Sequence, residues 1–268
     1  EARRARAGAG RAARSALSDG EVAKLDGTPD ELFYLLPRIG VQHTDDNFRR
    51  QLTQLYRLLL PAGGDVLDLC SQHDSHLPPE VTYGSLSVHG MNYLELLSNG
   101  RADNRFVRNF NSDPSLSNLA DGSMDAVLMA ASIQYMQRPV ELLRDVRRVL
   151  RPGGVVIVSF SNRMFFTKAI EAWRSQKSMR GLAMLVQGYL REAGLDGVRA
   201  ANGVRVPATG EEEGFLRGVL PQFASDPFLA AVGYRADGLS GAAPATDAVA
   251  AAGEGVSWLA TEGRGSIW

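Results

Sequence analysis

The sequence is short of cysteine, of net charge and of long apolar runs, and each shortage excludes a class of protein. Its single cysteine, Cys70, cannot form an internal disulfide, and zinc sites built from four cysteines are impossible. Lys+Arg number 29 against 30 Asp+Glu, a formal net charge of -1, which excludes a globally basic nucleic-acid coat although not a local patch. No apolar run reaches the roughly 18 residues that a bilayer-crossing helix needs. Of 268 residues, 44% are hydrophobic and 22% charged, which is enough apolar surface for a sizeable core. The expectation is a soluble globular chain, either one large domain or one domain with appended ends.

The ends differ from the middle. Residues 1–18 (EARRARAGAGRAARSALS) carry five arginines and one acid. Such a composition suits the tail of an organelle transit peptide, or a basic arm from a GC-rich coding sequence. Residues 238–268 are built from Gly, Ala, Ser and Thr with two late tryptophans, Trp258 and Trp268, and bury too little to order themselves. The expectation is that both ends are held by other protein chains, with Trp258 and Trp268 as anchors; the alternative is a tail folded back on its own domain. The division is therefore an extension at 1–30, a domain at 31–237 and a tail at 238–268.

The middle alternates helices and strands. Apolar runs at 66–70, 85–90, 106–110, 125–130, 155–160 and 228–234 read as strands. Helical spacing appears at 51–60, 92–98, 140–150, 164–175 and 182–193, and Arg151-Pro152-Gly153-Gly154 stops the third of these. Strands spaced by helices imply an α/β fold with a doubly wound, mostly parallel sheet. Ligands of such sheets sit at the carboxyl ends of the strands, so the segments to read are 71–76, 90–92, 109–113, 131–134 and 161–163.

Three of these pieces, in order, resemble the class I S-adenosylmethionine (SAM)-dependent methyltransferases of the type-11 group. They are Val66-Leu67-Asp68-Leu69-Cys70, Ser123-Met124-Asp125-Ala126-Val127, and Leu150-Arg151-Pro152-Gly153-Gly154 leading into 155–160. A subgroup found in bacteria and plastids is similar in more detail. It shares Phe33-Tyr34, Pro37-Arg38, His43, Asp45, and the loop from Asp68-Leu69 and Ser71 through Ser75-His76-Leu77-Pro78 except at Gln72 and His73, where it normally has Ser and Trp. It also shares His89-Gly90-Met91-Asn92, Ser161-Asn162-Arg163-Met164-Phe165 and Asp226-Pro227. The resemblance implies a seven-stranded Rossmann-like sheet and SAM as cofactor, with contacts from Asp68, Ser71, Asn92, Asn109 and Ala131. With the Arg-rich head it points to a plastid, the cytoplasm being the alternative.

The sequence also departs from that family. The first loop, Cys70 to His76, has no glycine where three are usual; Asn92 replaces the acid that takes the ribose hydroxyls; Asn109 replaces the Asp beside adenine. Two readings follow. One is a methyltransferase of unknown acceptor; the other is a catalytically inactive subunit of a larger organellar complex, such as a plastid membrane or photosynthetic assembly.

Candidate catalytic residues are His43, whose intrinsic pKa suits a base, and Tyr34. Arg38 and Arg163 are candidates for an anionic substrate group. The structural alternatives are an Arg38–Asp45 ion pair, a packed Tyr34, and a helix N-cap by Ser161 or Asn162. His73 and His76 flank Asp74 but form an incomplete ligand set, so loop hydrogen bonding is expected there and no metal. Cys70 reads as an inert buried thiol, and Glu211-Glu212-Glu213 as a solvated loop.

Overall fold

A computed structural model describes residues 17–207, 225–237 and 255–260. It contains one eight-stranded sheet in the order β3-β2-β1-β4-β5-β7-β6-β8. Strands β1 (Asp65–Leu69), β2 (Ser85–Gly90), β3 (Asn104–Val107), β4 (Met124–Ala130) and β5 (Leu150–Phe160) pair in parallel. Strands β6 (Asp196–Val204), β7 (Leu229–Tyr234) and β8 (Val256–Trp258) extend the sheet antiparallel. The sheet is thus the expected Rossmann-like one with an eighth, very short strand on its edge.

Alternation along the strands feeds two cores. Leu67, Leu69, Val127, Met129, Val156 and Val158 face one side, and Val66, Ala126, Leu128, Val155 and Ile157 the other. Helices α4 (Pro139–Val149), α5 (Glu171–Arg174) and α6 (Met179–Glu192) cover the first side through residues such as Leu143, Trp173 and Val186. Helices α2 (Asp46–Leu59) and α3 (Tyr93–Leu97) cover the second through Phe48, Leu52, Leu55 and Leu96. Each fully buried aliphatic side chain of this kind contributes about 1.5–3 kcal/mol. α2 starts where it does because the Asp45 carboxylate accepts the Phe48 N–H at 2.8 Å.

Four expectations are corrected. The third strand begins at Asn104 and ends at Val107, because Phe110 leaves the sheet and its ring lies 4.0 Å from that of His89. Arg151 to Gly154 does not merely end a helix; these residues run on as the start of β5. The helix expected at 164–175 shrinks to Glu171–Arg174. The chain before α2 takes its hydrogen bonds: Asp26 N donates to Thr167 O at 2.9 Å, and Glu171 N and Ala172 N donate to Ala23 O and Glu21 O. Finally, β6 has no strand-like run, since two glycines interrupt DGVRAANGV, yet its small alanines pair with β7.

Trp258 lies in β8 of the chain's own sheet, opposite Ala201, with the Arg199 guanidinium 5.2 Å from its ring. Trp268, most of residues 1–18 and 238–268, and Glu211 to Glu213 fall outside the described residues. Among the described residues no helix is long and apolar enough to cross a membrane.

One glycine fixes the geometry at the end of the first two strands. The Ser71 N–H donates to His89 O at 2.6 Å, drawing the loop across the end of β2. A Cβ on Gly90 would meet Ser71 O at 2.8 Å and Leu96 Cδ2 at 3.0 Å. Gly90→Ala is therefore expected to cost about 1–3 kcal/mol, read from the urea midpoint. An unchanged midpoint would show that the loop yields freely.

Candidate functional site

A cavity of about 660 Å³ opens at the carboxyl ends of the parallel strands. Its floor comes from the segments after β1, β2, β3 and β4. The chain from residue 17 to Asp45, which includes α1 (Asp30–Phe33), forms a strap, and its residues between Asp30 and Thr44 roof the cavity.

The loops after β1 and β4 take a glycine-like path without glycines. Cys70 and Ala131, the residues just past β1 and β4, adopt φ of 56° and 48°, in the left-handed region. Cys70 is held there by His89. The Cys70 N–H donates to His89 Nδ1 at 3.1 Å, so that nitrogen carries no proton, and Nε2–H donates to Arg108 O at 2.8 Å. Burial pushes the His89 pKa down to about 4, and the ring stays neutral. His89, noted in the sequence only as part of the His89-Gly90-Met91-Asn92 match, is a structural bracket. Burial raises the Asp68 carboxyl to about 6, against the opposing pull of the Ser71 and Ser75 hydroxyls, and the Cys70 thiol to about 12. A thiol raised that far is a weak nucleophile, while Cys70 as a whole is half-buried rather than buried.

Several side chains outside the strap pin it. Lys168 is its main anchor: its side chain is 1% exposed, with Nζ donating to Thr28 O, 3.4 Å from Asp26 and 4.0 Å from Asp30. Lys24 pairs with Asp30 at 2.9 Å, and Asn111 Nδ2 reaches the same carboxylate at 2.7 Å. At the other end Asn92 Nδ2 donates to the carbonyls of Tyr34 and Leu35 at 3.0 and 2.9 Å. Glu95 stands three residues after the Asn92 N-cap, where it would close a capping box, but its Oε1 instead accepts the Arg38 N–H at 2.6 Å.

Eight of the nine residues singled out from sequence line this cavity: Tyr34, Arg38 and His43 from the strap, Asp68, Ser71, Asn109 and Ala131 from the floor, and Arg163 beyond β5. Asn92 does not. Its Oδ1 caps α3 by accepting from Leu94 N and Glu95 N, so the whole amide is spent on α3 and the strap. Asn109 lines the cavity while its Nδ2 donates to Glu31 Oε1 at 2.7 Å and its Oδ1 accepts from Asn111 N. Arg163 is paired with Asp226, which is itself tied to Asp45. The Arg38–Asp45 pair does not form, because Asp45 is taken by Phe48, Ser225 and Asp226.

Arg38 is the unusual one. Its guanidinium packs 4.7, 5.0 and 5.1 Å from the rings of Phe33, Tyr34 and Phe165. Nη2 donates to Phe33 O at 3.0 Å, yet Nη1 is buried with no hydrogen-bond partner. Gln134, beyond β4, holds Ala131 O through Nε2 at 2.9 Å and leaves a buried Oε1 unpartnered. Both residues line the cavity. His43 is kept neutral by burial, by Arg38 and by His73, and its Nε2 accepts from Gln72 Nε2 at 2.9 Å. Burial holds the Tyr34 hydroxyl strongly protonated. His76 pairs with Asp74 at 3.0 Å as loop bonding. Among the described residues no group of His, Cys, Asp and Glu is placed to hold a metal.

A methyltransferase-domain family model matches residues 82–158, from before β2 to within β5. The chain is similar in fold to a solved complex between the Haloferax volcanii Trm112 methyltransferase activator and a methyltransferase. The TM-score is 0.52, at 16% identity over 71% of this chain and 91% of that one. Residues 82–158 thus match a methyltransferase domain, and the described chain shares the fold of that solved methyltransferase. The chain also matches a SAM-dependent methyltransferase structure from Thermotoga maritima, at TM-score 0.47, with 18% identity over 70% of this chain and 89% of that one. Among curated proteins it is 55% identical to the Homo sapiens thiol S-methyltransferase TMT1B over 38 residues, which is 14% of this chain and 16% of that protein.

Proposed function

We propose that the cavity binds SAM and that the chain transfers its methyl group to an acceptor entering beneath the strap. The observation that carries this is the pair of unpartnered buried atoms. Arg38 Nη1 is a cationic donor and Gln134 Oε1 a neutral acceptor, and together they suit the carboxylate and ammonium of an amino-acid end. Left unmatched, each costs about 1–3 kcal/mol.

In this reading Ser71 and the left-handed Cys70 shape the floor, with Asp68 beneath them. Glu95 replaces the missing acid at position 92: it is buried, lines the cavity and spends only Oε1 on the strap. SAM supplies an already activated methyl group, so the chain has to position the acceptor and exclude water. Tyr34, held protonated, serves as a hydrogen-bond donor. His43 serves as a base only if Gln72 releases Nε2, so an acceptor that loses its proton without help fits best.

Arg38→Leu is expected to weaken SAM binding about 10- to 100-fold in equilibrium dialysis with labelled cofactor. Arg163→Leu is expected to leave it within about twofold, because Asp226 already takes that charge. Equal affinities for wild type and Arg38→Leu would overturn this placement.

A further inference from the structure

Residues 32–41 of the strap, and α3, are built with their polarity inverted. Residues 32–41 (LFYLLPRIGV) and Tyr93–Leu97 (YLELL) contain one charged side chain each, Arg38 and Glu95. Both face the cavity. The outward positions are apolar: Leu32, Leu35, Leu36, Ile39 and Val41 on the strap, and Tyr93, Leu94 and Leu97 on α3. Leu36 is 77% exposed and none of the others is less than 47% exposed. The two segments adjoin, because Asn92 holds the carbonyls of Tyr34 and Leu35 and Glu95 holds the Arg38 N–H. Phe166, at 57% exposure, adds an apolar side chain on the cavity wall itself.

A solvent-facing surface places charge outward and leucine inward, and this one does the reverse around the mouth of a binding cavity. Isolated exposed leucines are ordinary; eight large apolar residues on two adjoining segments with no outward charge are not. Both segments are short, an irregular strap and a five-residue helix, so they offer projecting side chains rather than a long groove. Projecting Leu, Ile and Tyr side chains suit the headgroup–acyl boundary of a bilayer. The strap also continues at Leu17 from a sequence of five arginines and one acid, complementary to anionic lipid at about 1 kcal/mol per basic residue near the surface.

We infer that this face docks the cavity mouth on an anionic lipid bilayer, so that the acceptor reaches the site from the lipid side. The docking rests on the methyl-transfer reading only for what the cavity does; the two are tested by separate readouts.

The test is co-sedimentation of the full chain with vesicles of phosphatidylcholine alone and of phosphatidylcholine with about a third phosphatidylglycerol. The expected result is binding to the anionic vesicles, at least tenfold weaker on neutral ones, and weakened by raising the salt from about 0.1 to 0.5 M. A Leu35→Ser, Leu36→Ser, Ile39→Ser variant, altered only at exposed side chains, is expected to lose at least tenfold in partitioning while its circular dichroism and SAM affinity match wild type. Chain left in the supernatant with both vesicles, or a triple variant that partitions like wild type, would overturn the inference. So would a concentration-dependent dimer abolished by the triple variant without vesicle binding, which would make the face a contact between copies. Loss of SAM binding with vesicle binding intact would count against the methyl-transfer reading alone.

Discussion

Lys168→Met is expected to cost about 3 kcal/mol of stability and to loosen SAM together with the strap. Removing one partner of a buried ion pair typically costs about 3–5 kcal/mol, because the other charge is left uncompensated. Here the lower end applies: Lys24 still pairs with Asp30 at 2.9 Å, and the Asp26 side chain, 30% exposed, keeps access to water. The carbonyl of Thr28 also loses its donor. The strap carries Tyr34, Arg38 and His43, so its release should raise the SAM dissociation constant even though Lys168 is far along the sequence from all three. Urea unfolding and dialysis on one preparation check both parts. A variant with unchanged stability would show that the strap is held by its Asn92, Glu95 and Asn111 contacts alone.

Asp68→Asn is expected to make the protein distinctly more acid-sensitive. Two buried groups pull stability in opposite directions as pH falls. His89 is depressed from 6.5 to about 4, so the unfolded chain takes up a proton that the folded chain refuses. That contribution is whole above pH 6.5 and is lost on the way down to 4. Asp68 is raised from 3.8 to about 6, so the folded chain takes up its proton first. That contribution is present at low pH and is lost as pH rises through 4 to 6. Each shift corresponds to about 3 kcal/mol, and in the wild type they largely cancel. Without Asp68 the His89 loss stands alone. Between pH 6.5 and 4 the variant should therefore lose about 3 kcal/mol relative to wild type, measured by urea unfolding at each pH. Parallel curves would show that Asp68 is not raised by burial.

Much of the fold was legible because it rests on periodicity. The runs at 66–70, 125–130, 155–160 and 228–234 are largely apolar, 85–90 mixes apolar with polar residues, and the structure places β1, β4, β5, β7 and β2 on them within a few residues. β6 was not legible, because its pairing depends on backbone and on small alanines rather than on an apolar run. The short α5 was overestimated because the competing strap lies some 150 residues away in sequence. At the site, strand ends pointed to the right segments, but side-chain direction did not follow from position. Asn92 stands at a strand end and still turns to the strap, while Glu95, one turn on, faces the cavity. Lys168 carried a signal, a lone cation within an apolar run, but its partners Asp26 and Asp30 could be found only in three dimensions. The free atoms of Arg38 and Gln134 depend on which of their bonds the fold already uses.

In the methyl-transfer reading, a glycine-free first loop and a pinned strap still hold SAM. Calorimetric titration of the purified full chain with SAM and with its demethylated product tests it most directly. The expected result is binding at about micromolar affinity, near -8 kcal/mol, to at least one of the two. A folded chain that gives no heat up to millimolar ligand, at two temperatures, would contradict it and leave the inactive-subunit reading in its place.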